Sequence, residues 1–172
     1  MNVDLERRIL TTLLGRPLVT NAFRGMLVEA MLAQVLEPGW RWCSEDWALH
    51  DFESADGVRL EVKQSAALQS WNAETSKPGA GRFDIAPRKV HWEGATRIKA
   101  AGRNASIYVF AWHPVTDQIA ADHRLPDQWL FYPVAERNLP MQSTIARSRI
   151  ESLAEPVAIA GVYDAVERLA AL

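Results

Sequence analysis

Cysteine occurs once in the 172 residues, as Cys43, so no intrachain disulfide can form and a packed core must hold the fold. Long apolar runs are missing too. None approaches the roughly 20 residues that cross a bilayer, so no membrane partner is expected. Met1 to Leu10 mixes acids with bases and lacks the apolar stretch and cleavage site of a signal peptide. The cytoplasm is the expected compartment. Internal repeats, low-complexity segments, Cys-x-x-Cys, Gly-x-Ser-x-Gly and P-loop patterns are all absent. The histidines (His50, His91, His113 and His123) have no spacing typical of a zinc site. Gly79-Ala80-Gly81-Arg82 is half of a dinucleotide fingerprint, with no strand before it and no third glycine. Cys43, beside Trp42, reads as a core residue rather than a nucleophile. A net charge of −2 argues against a protein that coats nucleic acid over its whole surface.

What is present suits a single domain spanning residues 1–172, with 48% apolar and 23% charged residues. The charges are unevenly distributed. Ser44 to Glu61 carries Glu45, Asp46, Asp51, Glu53, Asp56 and Glu61 against Arg59 alone. Lys77 to Arg103 reverses the balance, with Arg82, Arg88, Lys89, Arg97 and Lys99 among its bases. An acidic segment followed by a basic one suits a cation site beside a polyanion groove, or simply two solvated faces.

Asn2 to Leu14 has the spacing of an amphipathic helix stopped by Gly15-Arg16-Pro17. A second helix runs from Thr20 or Asn21 to about Leu36, ends at Pro38-Gly39, and is apolar nearly all round, which predicts burial. Three extended segments follow: Arg41 to Cys43, Trp47 to Glu53 and Val58 to Gln64. Asp56-Gly57 marks a hairpin between the last two. A helical turn is expected over Ala66 to Trp71, a long loop over Asn72 to Pro87 and a helix over Lys89 to Ala101. Ser106 to Trp112 reads as a buried strand and Trp129 to Val134 as an edge strand. Residues 143–153 and 161–171 read as helices. The sum is an α/β fold, a mixed sheet flanked by helices.

Alternation along Val58 to Gln64 puts Val58, Leu60 and Val62 on one face and Arg59, Glu61 and Lys63 on the other. The preceding strand brings Asp51 to the same neighbourhood. Two converging carboxylates are hard oxygen ligands suited to Mg²⁺, and a lysine two residues on can orient water or offset charge in a transition state. A plain salt bridge between Glu61 and Lys63 on a solvated face explains the same pattern. Glu29 is the only acid between Phe23 and Leu36. A buried carboxylate calls for a partner, either a metal site or a bridge to Arg59 or Arg97.

Glu29 on a helix, Asp51 late in a strand and Glu61-Val62-Lys63 in the next strand resemble the PD-(D/E)xK, or restriction-endonuclease-like, nuclease superfamily. The string Leu60-Glu61-Val62-Lys63-Gln64-Ser65-Ala66, with Leu68-Gln69-Ser70-Trp71, is similar to a group of uncharacterised bacterial members. The resemblance covers roughly Thr20 to Trp112 and implies an αβββαβ core. It further implies Mg²⁺, with Mn²⁺ as a substitute, held by Asp51, Glu61 and the Val62 carbonyl, with Lys63 catalytic and Glu29 accessory. His50 stands where the motif has proline, and Asp56 is explained as a turn residue. The expected activity is phosphodiester hydrolysis in DNA, with phosphates met by Arg82, Arg88, Lys89, Arg97 and Lys99. A second copy of the chain is a further candidate partner. Trp71 and Trp92 can stack on splayed bases or cover the sheet. The rivals are a non-catalytic nucleic-acid-binding or assembly module of the same fold, and an interaction domain with a salt-bridge network.

Overall fold

The structure, a computed structural model, describes residues 2–43, 49–71, 77–93 and 96–172, with residues 88–93 and 96–101 described by their backbone. Its centre is a five-stranded mixed sheet with helices packed on it. Helix α1 (Val3–Leu14) starts where the Asn2 side chain accepts from the Asp4 N–H at 2.9 Å, satisfying one orphan donor of the first turn. It buries none of its residues. Helix α2 (Asn21–Leu36) buries Val28, Met31, Leu32, Ala33 and Leu36, at the i, i+3, i+4 spacing of one face. Phe23 and Met26 stay exposed, so α2 lies on the sheet rather than inside the molecule. Glu37 then turns extended ahead of Pro38 and ends the helix.

Strands β1 (Trp40–Trp42), β2 (Phe52–Ser54) and β3 (Arg59–Ala66) form an antiparallel meander. The Asp56-Gly57 turn is where the sequence puts it. Gly57 has a φ of 77° and donates its N–H to the Ser54 carbonyl, a conformation glycine adopts without steric cost. β3 pairs in parallel with β7 (Ile107–His113), and β7 in antiparallel with β8 (Leu130–Ala135), giving the order β1-β2-β3-β7-β8. β8 closes one edge, as its sequence suggests.

Period-2 alternation divides the side chains into two cores. Leu60, Val62, Ile107, Val109, Ala111 and Phe131 face α2 and the C-terminal helix α4 (Val162–Ala170). Tyr108, Phe110, Trp112 and Tyr132 face the other way, against Phe83, Ile145 and Ile150. Glu61 and Lys63 stand level with Tyr108 and Phe110 in the β3–β7 register and share that second face.

Four stretches differ from expectation. Ala66 ends β3, and the residues from there to Trp71 hold no helix. Lys89 to Ala101 is no helix: β5 (Arg88–Glu93) and β6 (Thr96–Gly102) form an antiparallel ribbon. Val90, Trp92, Thr96 and Ile98 favour strands, and that preference outweighs the helix propensity of the interspersed Lys, Arg and Ala. The helix of an αβββαβ core therefore has no counterpart there, and the β3-to-β7 connection carries strands among its described residues. The segment read as a loop contains β4 (Arg82–Asp84), and the stretch read as a helix from residue 143 opens with β9 (Thr144–Ala146), leaving α3 short (Arg147–Glu151). β4 and β9 pair because Phe83 and Ile145, opposite each other and both buried, bring the strands together. Glu45, Asp46 and Trp47 of the acidic segment, and residues 72–76 of the loop, lie outside the described residues.

Candidate active site

Asp51 is fixed by its backbone before its side chain matters. Its carbonyl accepts from Cys43 (2.8 Å) and its N–H donates to the Leu60 carbonyl (3.0 Å), so the ladder holds it on both sides just ahead of β2. The carboxylate then reaches across the hairpin, where Oδ2 accepts the Val62 N–H at 2.6 Å. Burial, the charge of Glu61 and the charge of Glu29 push Asp51 up to about 8, against the smaller opposing effects of the Val62 hydrogen bond and Lys63.

Glu29 enters the same cluster from α2. Its Oε2 accepts from the Trp42 indole N–H at 3.1 Å, which ties α2 to β1. Burial raises the Glu29 pKa, the Trp42 bond opposes this, and the Glu61 charge raises it further. Glu61 and Lys63 lie two apart on β3 and form a half-buried ion pair with each other. The structure thus brings Glu29, Asp51, Glu61 and Lys63 within electrostatic reach of one another.

The salt-bridge alternatives resolve differently for each acid. The Glu61–Lys63 bridge is present. A bridge from Glu29 to Arg59 is not, since Arg59 faces Glu53 at 3.8 Å; the Arg97 side chain lies outside the description. Asp56 is exposed at its turn. Three carboxylates against one lysine leave the cluster short of positive charge, and an all-oxygen donor set of this kind fits a hard divalent cation. Beside Glu61 and Lys63 a cavity of about 30 Å³, also bordered by Asp84, Arg103 and Tyr108, has room for a water or an ion, which needs roughly 10–15 Å³.

A groove of about 460 Å³ opens on the other side of Lys63, walled by Asn21, Arg24, Gln64, Trp71 and Arg82 among others. Trp71 is 67% exposed, so it does not cover the sheet. Arg82 stands at the groove wall and donates to Thr144 Oγ1 at 2.9 Å. Arg88 and Lys89 belong to β5, and Arg97 and Lys99 to β6; their side chains, with that of Trp92, lie outside the description. Arg103, at the end of the basic segment, is internal. It donates to the Ile85 carbonyl (2.8 Å) and to Glu136 (2.8 Å), anchoring the ribbon's base.

Two groupings escape the sequence reading. The first is Arg24, buried on α2 and bonded to Gln64 and Asn21. Its signal was a charged residue on the buried side of an otherwise apolar helix. The second is Cys43, His50 and Glu53, whose candidate ligand atoms all lie within 4.8 Å of one another. Antiparallel pairing assembles it: Arg41 opposes Glu53, which sets Glu53 diagonal to Cys43. His50 is buried with neither ring nitrogen hydrogen-bonded. Thiol, imidazole and carboxylate are the donor types of a zinc site, whereas the oxygens near Asp51 suit magnesium. Among the described residues no other such set closes to that spacing. The Glu29, Asp51 and Glu61 oxygens stand further apart, as mutually repelling carboxylates do when each is held by its own donor.

Compared with known proteins, the chain matches no family model, no curated protein and no solved structure.

Proposed function

We propose that the chain is a metal-dependent nuclease that hydrolyses phosphodiester bonds in DNA, on a restriction-endonuclease-like core of the PD-(D/E)xK type. The observation that carries this reading is that Glu29, Asp51 and Glu61 lie within electrostatic reach of one another and of Lys63, with Asp51 raised to about 8 by burial and by the other two acids. Carboxylates in such excess over bases form the oxygen donor set that a hard divalent cation takes. Asp51, Glu61 and the Val62 carbonyl would hold Mg²⁺ or Mn²⁺, with Glu29 adjoining from α2. The bound ion supplies Lewis-acid activation of water and neutralises charge that builds on the phosphoryl group.

The chain's own groups do the positioning. The Val62 N–H holds Asp51 Oδ2, which leaves Oδ1 for a ligand. Glu61 keeps Lys63 at the site, where its Nζ would orient the attacking water and donate to a phosphoryl oxygen. Trp71, exposed on the groove, offers a stacking face to an unpaired base. Arg82, Arg88, Lys89, Arg97 and Lys99 would meet backbone phosphates.

The β5–β6 ribbon, standing where the core has a helix, favours a second reading: a non-catalytic nucleic-acid-binding or assembly module of the same fold. Turnover separates the two. Thermal unfolding with and without Mg²⁺ or Mn²⁺, beside cleavage of duplex, branched and single-stranded DNA, is the test. The nuclease predicts a metal-induced rise in Tm, lost in Glu61→Ala, together with metal-dependent cleavage. DNA binding with no cleavage selects the module, and a chain that responds to neither metal nor DNA sinks both.

A further inference from the structure

Arg24 is 1% exposed, yet among the described residues no carboxylate pairs with it. Its Nε donates to Gln64 Oε1 at 2.5 Å and its Nη2 to Asn21 Oδ1 at 2.9 Å. Gln64 Nε2 also donates to Asn21 Oδ1, at 3.1 Å, which closes a three-residue network. Arg24 Nη1 is itself buried and has no hydrogen-bond partner among the described residues, so a ligand in the groove meets it only when the side chains of the network shift. The other titratable groups that feel the guanidinium are His113 on β7 and His123 in the following segment, and neither brings a negative charge. Burial holds His113 down, and burial together with the charges of Arg24 and His113 draws His123 to about 4. Desolvation alone lowers Arg24 to about 10. A buried cation is costly unless an anion meets it.

All three residues of the network line the groove that also holds Lys63, Trp71 and Arg82, with Asp84 the one acid on its wall among the described residues. Gly25, the next residue on α2, has nothing within 4 Å of where a Cβ would stand, so the helix leaves that part of the groove open. Gln64 and Lys63 leave opposite faces of β3, and both border the groove. The Asn21 oxygen accepts both amide and guanidinium bonds, leaving its NH₂ as a further donor. An open groove, a built donor network and an uncompensated internal cation together specify an anion with several oxygens.

We propose that Arg24, Asn21 and Gln64 form a phosphate-binding subsite that takes a backbone phosphate of a nucleic-acid strand next to the phosphodiester held at Lys63. The identity of the strand rests on the nuclease reading; the anion site rests on the network itself. Guanidinium and phosphate match in geometry and charge, and the bound phosphate would supply the negative charge that Arg24 lacks. A free phosphate shares this chemistry, so the test separates the two sources.

The measurements use the full chain carrying Glu61→Ala, with EDTA, so that neither cleavage nor a metal contributes. Thermal unfolding is followed against inorganic phosphate, and binding of a labelled single-stranded and a duplex oligonucleotide is titrated. Gln64→Glu is the decisive variant, because it puts a carboxylate onto the guanidinium in a side chain of the same size. It should raise Tm without ligand, abolish the phosphate-induced shift and weaken oligonucleotide binding by about tenfold or more, the loss expected for a charge-assisted contact. Arg24→Gln should lose the same two responses; if it fails to fold, Gln64→Glu still decides. Variants that bind phosphate and strand as the parent does overturn the subsite. A phosphate shift removed by Gln64→Glu with strand binding unchanged overturns the strand assignment and leaves a free-phosphate site. Failure of the nuclease reading shows elsewhere, as absent Mg²⁺-dependent cleavage by the chain with Glu61 intact, while the phosphate responses persist.

Discussion

At Asp51 burial and two neighbouring carboxylates act in one direction, and this makes its protonation a stability term. The folded value of about 8 lies above the ordinary value of 3.8. Between those limits the native state binds a proton that the unfolded chain has released. The stabilisation is therefore complete below about pH 4 and is lost as pH rises through about 8, with a slope of at most ~1.4 kcal/mol per pH unit. Urea titrations in EDTA across that window should show stability falling with pH in the parent and a flatter profile in Asp51→Asn. A metal ion competes with the same proton, so a Mg²⁺-induced rise in Tm should grow with pH over the same range. On the nuclease reading Lys63 would serve the chemistry and not ion binding. Lys63→Ala should keep the Mg²⁺ shift while lowering turnover by a factor on the order of 10² or more, read from single-turnover cleavage beside the thermal scan. Loss of Glu29, held back by Trp42, should cost less activity than loss of Asp51 or Glu61.

The site depends at the scale of elements on the meander that carries Asp51. Phe52 is fully buried, lies between Trp42 and Leu60 in the ladder and stacks on the Trp42 ring at 6.5 Å. Trp42 in turn holds Glu29. Phe52→Ala should therefore destabilise the fold by about 3–5 kcal/mol, measured as the urea midpoint at unchanged slope. It should also weaken the metal response beyond what the stability loss explains, because Asp51 is its chain neighbour. Helix α2 brings one residue to each side of the site, Glu29 to the acids and Arg24 to the groove. Two hydrogen-bonded anchors, Trp42 and Gln64, set its rotation over the sheet.

At the scale of the molecule, the distribution of charge over the described residues would set how a polyanion approached. The acids cluster on β2 and β3, while Arg82 lines the groove and Arg88, Lys89, Arg97 and Lys99 lie on the ribbon. If the ribbon borders bound DNA, each phosphate contact releases counterions, and losing one lowers the slope of log K against log salt by about 0.9. Replacing Arg88 and Lys89 with Glu should weaken binding equally across sequences, flatten that slope and spare the Mg²⁺ shift. A slope equal to that of the parent would leave the ribbon's bases with the neighbouring acids and away from the strand.

Local pattern determined much of this protein. Period-2 alternation in β3 placed Leu60 and Val62 inward and Glu61 and Lys63 together. Asp56-Gly57 marked the turn, and a largely apolar stretch stopped by Pro38-Gly39 marked α2. These features are written within a few residues, so the sequence alone carries them. Tertiary structure decided the rest. Lys89 to Ala101 has residues compatible with either period, and pairing Arg88–Glu93 with Thr96–Gly102 selected the strand. β4 and β9 needed each other across some 60 residues of chain. Glu29, Arg24, Cys43 and His50 acquired their partners only when α2 and the meander packed. Their environments depend on burial and on charges from distant segments, and desolvation exists only once water has been excluded. Sequence could place Asp51, Glu61 and Lys63 on one hairpin; only packing could raise Asp51 and bury Arg24 with no carboxylate paired to it among the described residues.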